Sequence, residues 1–359
     1  MLHGGEIYDK KIELDFSVNL NPVKCPEAVI DEIKRAAGEV TNYPDISQSR
    51  FRTAVAEAET GLSEKNVKFT AENIVGGNGA SELLMAIACM VRPKKALLPI
   101  PSFYGYEHAL SAVACEVVRY DMAERNEGGI QKFELSERFF DAITEDTDMV
   151  ILGNPNNPTG MLIPEDFLLG VLDRCRKMGA TLVVDECFYR LSGKREGGAS
   201  TVSARNFVQE YGNLFVVDAY TKLFSIPGVR VGFAITSAEN AERLREYLPE
   251  WNMSVFAEYA GVKCAEITEE GSFTQKTREV ICRERDYLSA QLSGLGITVY
   301  PSDTNFILIK SEDELYEKLL KKLILIRDCS NFRGLDHGYY RIAVKDHSSN
   351  ERLINAIRA

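Results

Sequence analysis

The sequence predicts an α/β protein in which a large domain with a mostly parallel central sheet is joined to a smaller α+β domain. Three observations carry this expectation. From about Ala80 to Thr236, helical patterns alternate with short continuous apolar runs, and such runs between amphipathic helices imply strands buried on both faces. After Pro249 the pattern changes to two long helical stretches followed by shorter strand-like runs. A chain of 359 residues is also longer than one core usually supports, which favours two domains.

The elements follow in order. ALLPI at 96–100, MVILGN at 149–154, TLVVDE at 181–186 and LFVVDAY at 214–220 are the expected buried strands, and GGNGAS leads into the helix ELLMAIACMV. Beyond Pro249, helices are expected over 255–267 and 272–292. Strands are then expected at ITVYP, NFILIK, LILIRD and GYYRIAVK, and a closing helix opened by Ser348 or Ser349. The residues before about Tyr43 are too few for a domain of their own and are expected to pack with the C-terminal part. This gives a large domain at 44–250 and a small one formed by 1–43 and 251–359.

Composition narrows the function classes. Hydrophobic residues at 45% and charged residues at 26% match a globular chain with little disorder. A net charge of -11 argues against nucleic acid or an anionic membrane as partner, because phosphate backbones demand a basic face. The opening MLHGGEIYDKKIELDF has no basic segment followed by an apolar run, and no stretch elsewhere is long enough to span a bilayer, so a cytoplasmic protein is expected. The eight cysteines form no C-x-x-C pair and are expected to be reduced core residues. The four histidines lack metal-ligand spacing, and no metal site is expected.

Several residues together suggest a cofactor that acts as an electron sink, which needs an amine, a carboxylate for its ring nitrogen, a donor for its phenolic oxygen and an anion cradle. Lys222 directly follows LFVVDAY, so it emerges at the C-terminal edge of the sheet, where such folds place ligands, and an amine there can condense with an aldehyde. Asp185 ends TLVVD and can pair with a protonated pyridine nitrogen. In Asn154-Pro155-Asn156-Asn157-Pro158-Thr159-Gly160 the prolines force a rigid turn that can present an asparagine. Gly76-Gly77-Asn78-Gly79-Ala80-Ser81 precedes a helix whose first N–H groups can grip a phosphate, and Arg230, beyond the Pro227-Gly228 turn, can return to the same anion. Taken singly, each has a plainer reading: a surface lysine, a helix N-cap, a loop.

The order GGNGAS, PSFYGY, NPNNPTG, DE, then TK with PGVRVGF resembles the fold-type I pyridoxal phosphate enzymes, the aspartate aminotransferase superfamily, over nearly the whole chain. The resemblance implies Lys222 as the Schiff-base lysine, Asp185 against the pyridine nitrogen, Asn157 on the phenolic oxygen, and Tyr106 stacked on the ring. It implies Gly79, Ala80, Ser81, Thr221 and Arg230 around the phosphate and Phe188 beside the cofactor. It further implies a cis peptide between Asn157 and Pro158. Tyr43, in NYPD, would reach the cofactor phosphate of a neighbouring subunit in a homodimer. One departure is Ala219, where the superfamily usually has a phosphate-binding serine or threonine. Losing one neutral hydrogen bond costs about 0.5 to 1.5 kcal/mol.

Within the superfamily, His3-Gly4-Gly5 with Asp15-Phe16-Ser17-Val18-Asn19-Leu20-Asn21-Pro22, Phe188 in DECF, and the segment 326–335 followed by YYRIAV are similar to the threonine-phosphate decarboxylases of the cobalamin pathway. That resemblance implies a doubly anionic phosphorylated amino acid as substrate, held by Arg327 and Arg341 with His3, Asn19 and Asn21. The alternative it leaves is a histidinol-phosphate or related aminotransferase working with 2-oxoglutarate. A cofactor-sensing regulator would carry a DNA-binding domain before the HGG segment; the acidic charge weighs against that reading.

Overall fold

The computed structural model describes residues 4–5, 7–193 and 200–359. In chain order the strands are β1 (Leu14–Asp15), β2 (Ile74–Gly77), β3 (Lys95–Ile100), β4 (Glu116–Asp121), β5 (Ala123–Glu127), β6 (Ile130–Glu134) and β7 (Met149–Gly153). They continue as β8 (Thr181–Asp185), β9 (Leu214–Ala219), β10 (Gly232–Ile235), β11 (Thr298–Val299), β12 (Phe306–Lys310), β13 (Ile324–Leu325), β14 (Arg327–Asp328) and β15 (Tyr339–Ala343).

The central sheet has seven strands in the order β2-β10-β9-β8-β7-β3-β4. All four expected runs form strands within it, joined to one another in parallel from β3 to β9. The sheet is mixed at one end, since β10 runs antiparallel to both β9 and β2. Alternation along each strand builds two cores. Leu97, Val150, Leu182 and Val216 pack on one face with the helices Ser49–Gly61 and Val255–Glu270. On the other, Ala96, Ile151, Val183 and Phe215 pack with Ala80–Val91, Tyr104–Ser111 and Ala238–Arg245. Successive residues of a strand point to opposite faces, so runs that must bury both faces are apolar throughout.

A second sheet, β11-β12-β15-β14, is antiparallel. Its outer face, with Ile307, Ile309, Tyr340 and Ile342, packs on the helices Ser272–Gly294 and His347–Arg358. The expected strand LILIRD is broken in two. Ile324 and Leu325 pair in parallel with Leu14 and Asp15, whereas Arg327 and Asp328 pair with Arg341 and Tyr340. The N-terminal segment therefore does join this part of the fold, with Phe16 in its core, although the helix Glu27–Ala36 lies against Val255–Glu270 instead. The closing helix is capped by Asp346, whose carboxylate accepts from Ser349 N–H, rather than by either serine. An aspartate one turn earlier outcompetes them because its charge also suits the positive helix N-terminus. No helix of the described residues is long and apolar enough to cross a membrane. All eight cysteines are unpaired, but only Cys175, Cys264 and Cys329 are fully buried; the others are half-buried, fewer core cysteines than the apolar runs suggested.

Behind the C-terminal edge of the central sheet lies a buried ionic cluster. Arg205 donates to Glu59 at 2.5 Å, Glu186 at 2.9 Å and Asp218 at 3.0 Å, and Arg190 pairs with Glu59 and Asp218. Three carboxylates thus face two guanidiniums, and burial pushes Asp218 up to about 6 from 3.8, against the pull of the two arginines. A carboxyl whose folded pKa is raised contributes stability that is present below its unfolded pKa and is lost as pH rises through the folded value. Asp218→Asn removes that titration. The stability of the parent relative to this variant, measured by urea unfolding, should fall by about 2 kcal/mol between pH 4 and pH 7; a difference that stays flat across this range refutes the assignment.

Candidate active site

The two sheets enclose a cavity of about 230 Å³ at the C-terminal edge of the central one. Lys222 enters it from the short helix Tyr220–Leu223, which continues β9. Burial lowers the Lys222 pKa below 10.5, and the positive charges of Arg341 and Arg230 lower it further. The amine is therefore biased toward its neutral, nucleophilic form. Asp185 lies at the end of β8, one strand away. Its Oδ1 accepts from Cys187 N–H at 3.0 Å and its Oδ2 from the Tyr106 hydroxyl at 2.9 Å. Both oxygens keep a second lone pair, and the carboxylate cannot swing.

Tyr106 is 2% exposed and packs in the core on its own side of the sheet, with its phenol pKa raised by burial and by Asp185. Tyr106 also lines the cavity, and its hydroxyl tethers Asp185. The PSFYGY segment bends so that Phe103 also lines the cavity, with its ring 5.5 Å from Tyr106 and edge-on to it. Phe188 lines the cavity and meets Phe306 edge to face at 5.1 Å.

At the other end of the cavity Gly79 (φ +81°) precedes the helix Ala80–Val91. A Cβ at Gly79 would stand 2.4 Å from Arg230 Nη2, and one at Gly232 would meet Ala80 N at 2.9 Å. Only glycines allow the helix start, β10 and the guanidinium to converge. Arg230 itself has φ +60°, a strained conformation of the kind that collects at functional sites, and donates to the Pro227 and Asn78 carbonyls. Ala80, Ser81, Thr221 and Ala219 line this end. Orphan N–H groups at a helix start beside a guanidinium make an anion cradle.

The turn 154–160 uses its asparagines differently. Asn154 donates to Glu186 at 3.0 Å and accepts from Ile163 N–H at 3.0 Å, and Asn156 donates to the Pro101 carbonyl at 3.0 Å; these two brace the turn. Asn157, preceding a cis peptide to Pro158, lines the cavity. Its amide oxygen accepts from Arg341 Nη1, which leaves the NH2 group, a pure donor, for a phenolic oxygen.

Arg327 and Arg341 are directly opposed in the β14–β15 register and are 8% and 7% exposed. Arg341 also donates to the Ser17 carbonyl at 2.9 Å, and Arg327 to Asn331 at 2.9 Å. Burial, with the Arg327 charge added, pulls the Arg341 pKa from 12.5 down to about 10. Asn19 is 2% exposed, lines the cavity and has an unpartnered Oδ1.

Two expected residues lie elsewhere. Asn21 donates to the Leu223 carbonyl at 2.6 Å and to Thr277 at 3.0 Å, and its backbone N–H bonds the Lys222 carbonyl at 3.2 Å. It holds the helix of Lys222 from behind rather than touching the cavity. Tyr43 is 80% exposed and rests on Trp251, with centroids 4.8 Å apart, outside the cavity of its own chain. His3 lies outside the described residues. Ser17, Phe103, Cys187 and Phe332 were not among the expected site residues although they line the cavity. Each sits inside or beside a quoted motif, but their side-chain types carry no signal of chemistry.

Amine, fixed carboxylate, amide donor and phosphate cradle converge on one cavity, and the donor set fits pyridoxal phosphate. Lys222 would hold its aldehyde carbon, Asp185 its ring nitrogen, Asn157 its phenolic oxygen, and the Gly79–Ser81 turn with Arg230 its phosphate. The sequence profile of aminotransferase class I and II matches residues 11–357. A protein of Caldanaerobacter subterraneus subsp. tengcongensis provisionally named a threonine-phosphate decarboxylase is 37% identical, the match covering 99% of this chain and 93% of that one. The threonine-phosphate decarboxylase of Salmonella typhimurium is 30% identical, covering 99% and 95%. The crystal structure of the histidinol-phosphate aminotransferase from Clostridium acetobutylicum superposes with a TM-score of 0.82 at 30% identity, covering 96% of this chain and 98% of that one. The chain belongs to the aminotransferase class I and II family and is a pyridoxal phosphate enzyme of fold-type I.

Proposed function

We propose that the enzyme decarboxylates L-threonine O-3-phosphate to (R)-1-aminopropan-2-yl phosphate. The observation that carries this reading is the buried Arg327–Arg341 pair facing the same cavity as Lys222. Two guanidiniums in cross-strand register repel each other and are costly to bury; a substrate with both a carboxylate and a phosphate relieves both. The similarity to two chains named as threonine-phosphate decarboxylases supports the choice.

Pyridoxal phosphate, when bound, supplies an electron sink for the pair released as a bond to the substrate α-carbon breaks. The residues decide which bond that is. Arg327 and Arg341 orient the anionic groups, Asn157 is itself oriented by Arg341, and Asp185 is fixed by Tyr106 and Cys187. Lys222 Nζ, in the same cavity, is placed to pass a proton to the α-carbon once CO2 has left, going from ammonium to neutral amine as it does so. If the α-hydrogen were aligned instead of the carboxylate, amino transfer would result, and the likeness to a histidinol-phosphate aminotransferase makes that the competing reading.

We also propose that residues 44–250 form the large domain and 1–43 with 251–359 the small one, with Glu27–Ala36 and Val255–Glu270 reaching back to pack in the large domain's core, and that two cytoplasmic copies share their sites. Exposed Tyr43, Ile46, Val40 and Trp251 support this pairing, since clustered exposed apolar side chains mark interaction surfaces. Sedimentation should give a dimer at micromolar concentration, and Tyr43→Ala should weaken cofactor retention about tenfold or more; an active monomer would remove the idea.

Borohydride treatment of the cofactor-loaded protein should tag Lys222, as read by peptide mapping, and Lys222→Ala should lose both the visible absorbance and turnover. Because Arg341 lowers the Lys222 pKa, Arg341→Ala should move the pH dependence of cofactor capture to higher pH. No shift, or one to lower pH, contradicts the electrostatic argument.

The reaction is tested with two assays on one preparation. Threonine phosphate should yield CO2 without a keto-acid acceptor, and histidinol phosphate with 2-oxoglutarate should yield no glutamate; the reverse pattern favours amino transfer. Arg327→Ala and Arg341→Ala each remove a charge-assisted contact of roughly 1.5 to 3 kcal/mol, so kcat/KM should fall about 10- to 100-fold.

A further inference from the structure

The hairpin β5–β6 takes no part in the cavity, yet its contacts run to the sheet that carries the arginine pair. Phe133 of β6 is buried and stacks on Tyr300, with centroids 5.3 Å apart and planes at 26°, and lies 6.3 Å from Tyr339. Glu124 of β5 accepts from the Tyr300 hydroxyl at 2.5 Å and from the Tyr339 hydroxyl at 3.2 Å. Burial and Glu124 raise the Tyr300 pKa, which keeps this phenol a donor. Lys310 donates to the Tyr339 oxygen at 3.1 Å. Tyr339 and Arg341 are two residues apart on β15, so they share the inner face of the sheet. Cross-strand partners carry the connection onward, with Lys310 opposite Tyr339 and Leu308 opposite Arg341.

The same hairpin reaches the second arginine by another route. Phe133 packs in one cluster with Cys329, Phe332 and Leu335, and Phe332 both lines the active-site cavity and lies 5.3 Å beneath the Arg327 guanidinium. On its other side, a cavity of about 330 Å³ separates the hairpin root at Met122 and Leu135 from Leu152, Met161 and Ile163. The hairpin is thus held less by the central sheet beneath it than by its grip on the smaller one.

We propose that Glu124 and Phe133 are positioning residues: the hairpin clamps the four-stranded sheet against the seven-stranded one and fixes the Arg327–Arg341 pair relative to Lys222. This rests on the preceding reading only in taking that pair as the substrate's anion site. The clamp acts first on substrate placement, because Lys222, Asp185, Asn157 and Arg230 all stand on the central sheet or its loops and are reached from the smaller sheet through the Arg341–Asn157 bond. A carboxylate that accepts from two phenols has a preferred geometry that a generic apolar contact lacks.

The test uses the cofactor-loaded enzyme with Glu124→Ala, Glu124→Gln and the double variant Tyr300→Phe/Tyr339→Phe, which removes only the hydroxyls. KM for the phosphorylated substrate should rise at least tenfold in Glu124→Ala and in the double variant, while kcat falls less than threefold. Cofactor absorbance and Tm should stay at parent values, and Glu124→Gln, which keeps an acceptor, should recover most of the KM. KM within twofold of the parent in the double variant overturns the proposal, as does a loss shared equally by kcat, KM and cofactor loading. If Glu124→Ala does not fold, the double variant decides. A parent that releases no CO2 from threonine phosphate would sink the proposed reaction alone, since the same KM comparison can then be made on histidinol phosphate with 2-oxoglutarate.

Discussion

Everything in the site turns on Arg341, a guanidinium buried opposite another guanidinium. Among the described residues no carboxylate pairs with it; its contacts are an amide oxygen and a backbone carbonyl, and its Nε has no partner. Desolvating a cation without a counter-ion costs several kcal/mol, and a like charge in cross-strand register adds to it. Such an arrangement persists only if the rest of the fold holds it. Here the holding comes from the outer face of the same strand, where Tyr340 and Ile342 are locked into the core of the small sheet. The apolar face stabilises what the polar face destabilises, and the proposed anionic substrate would complete the unsatisfied charge.

The opposite wall is made rigid by a different device. Glu186 follows Asp185 directly, points away from the cavity into the buried ionic cluster, and also accepts from Asn154 of the 154–160 turn. One carboxylate thus ties the end of β8 to the turn that carries Asn157, while Arg205 ties it to Asp218 of β9, four residues before Lys222. The three groups that would contact a cofactor therefore cannot move independently. Replacing such a cluster by apolar side chains is often neutral for stability, so its role is read as geometric: it fixes where Asp185, Asn157 and Lys222 stand relative to one another.

Much of this was legible in the sequence because the informative residues sit where periodicity ends. Lys222 and Asp185 each follow a continuous apolar run, and such a run predicts a buried parallel strand whose C-terminal edge must face the ligand. The failures share a cause as well. Asn21 lies inside a recognisable motif, but a motif specifies neighbours in sequence, and whether a side chain faces the cavity or the core depends on one turn of chain or one hydrogen bond. Tyr106 lines the cavity while its hydroxyl reaches Asp185, whereas Asn21 turns to the Leu223 carbonyl. The broken strand at 324–328 was illegible for a similar reason. Continuous β character does not show that Ile324–Leu325 and Arg327–Asp328 pair with different partners. The hairpin 123–134 is nearly all polar in sequence, and only the structure reveals that Phe133, its main apolar anchor, closes against the other sheet.

The two walls are also coupled electrically. Burial, and after it the Arg341 charge, lowers the proton affinity of Lys222, which biases the amine toward bonding carbon. The proposed anionic substrate, seated on Arg327 and Arg341, would cancel part of that field, so the Lys222 amine would meet a weaker repulsion against protonation. Under the proposed reaction the same guanidinium would favour a neutral nucleophile in the first half of the cycle and, neutralised by substrate, would oppose protonation less strongly in the second, when the α-carbon must receive a proton. A lysine buried among cations without such a partner would be a poor acid base pair for its own reaction: good at capturing the cofactor and poor at returning the proton. On the proposed reading, placing the substrate's anion site within reach of the lysine's field would meet both requirements with one residue, and it would account for Arg341 being buried beside Asn157 rather than at the exposed rim of the small sheet.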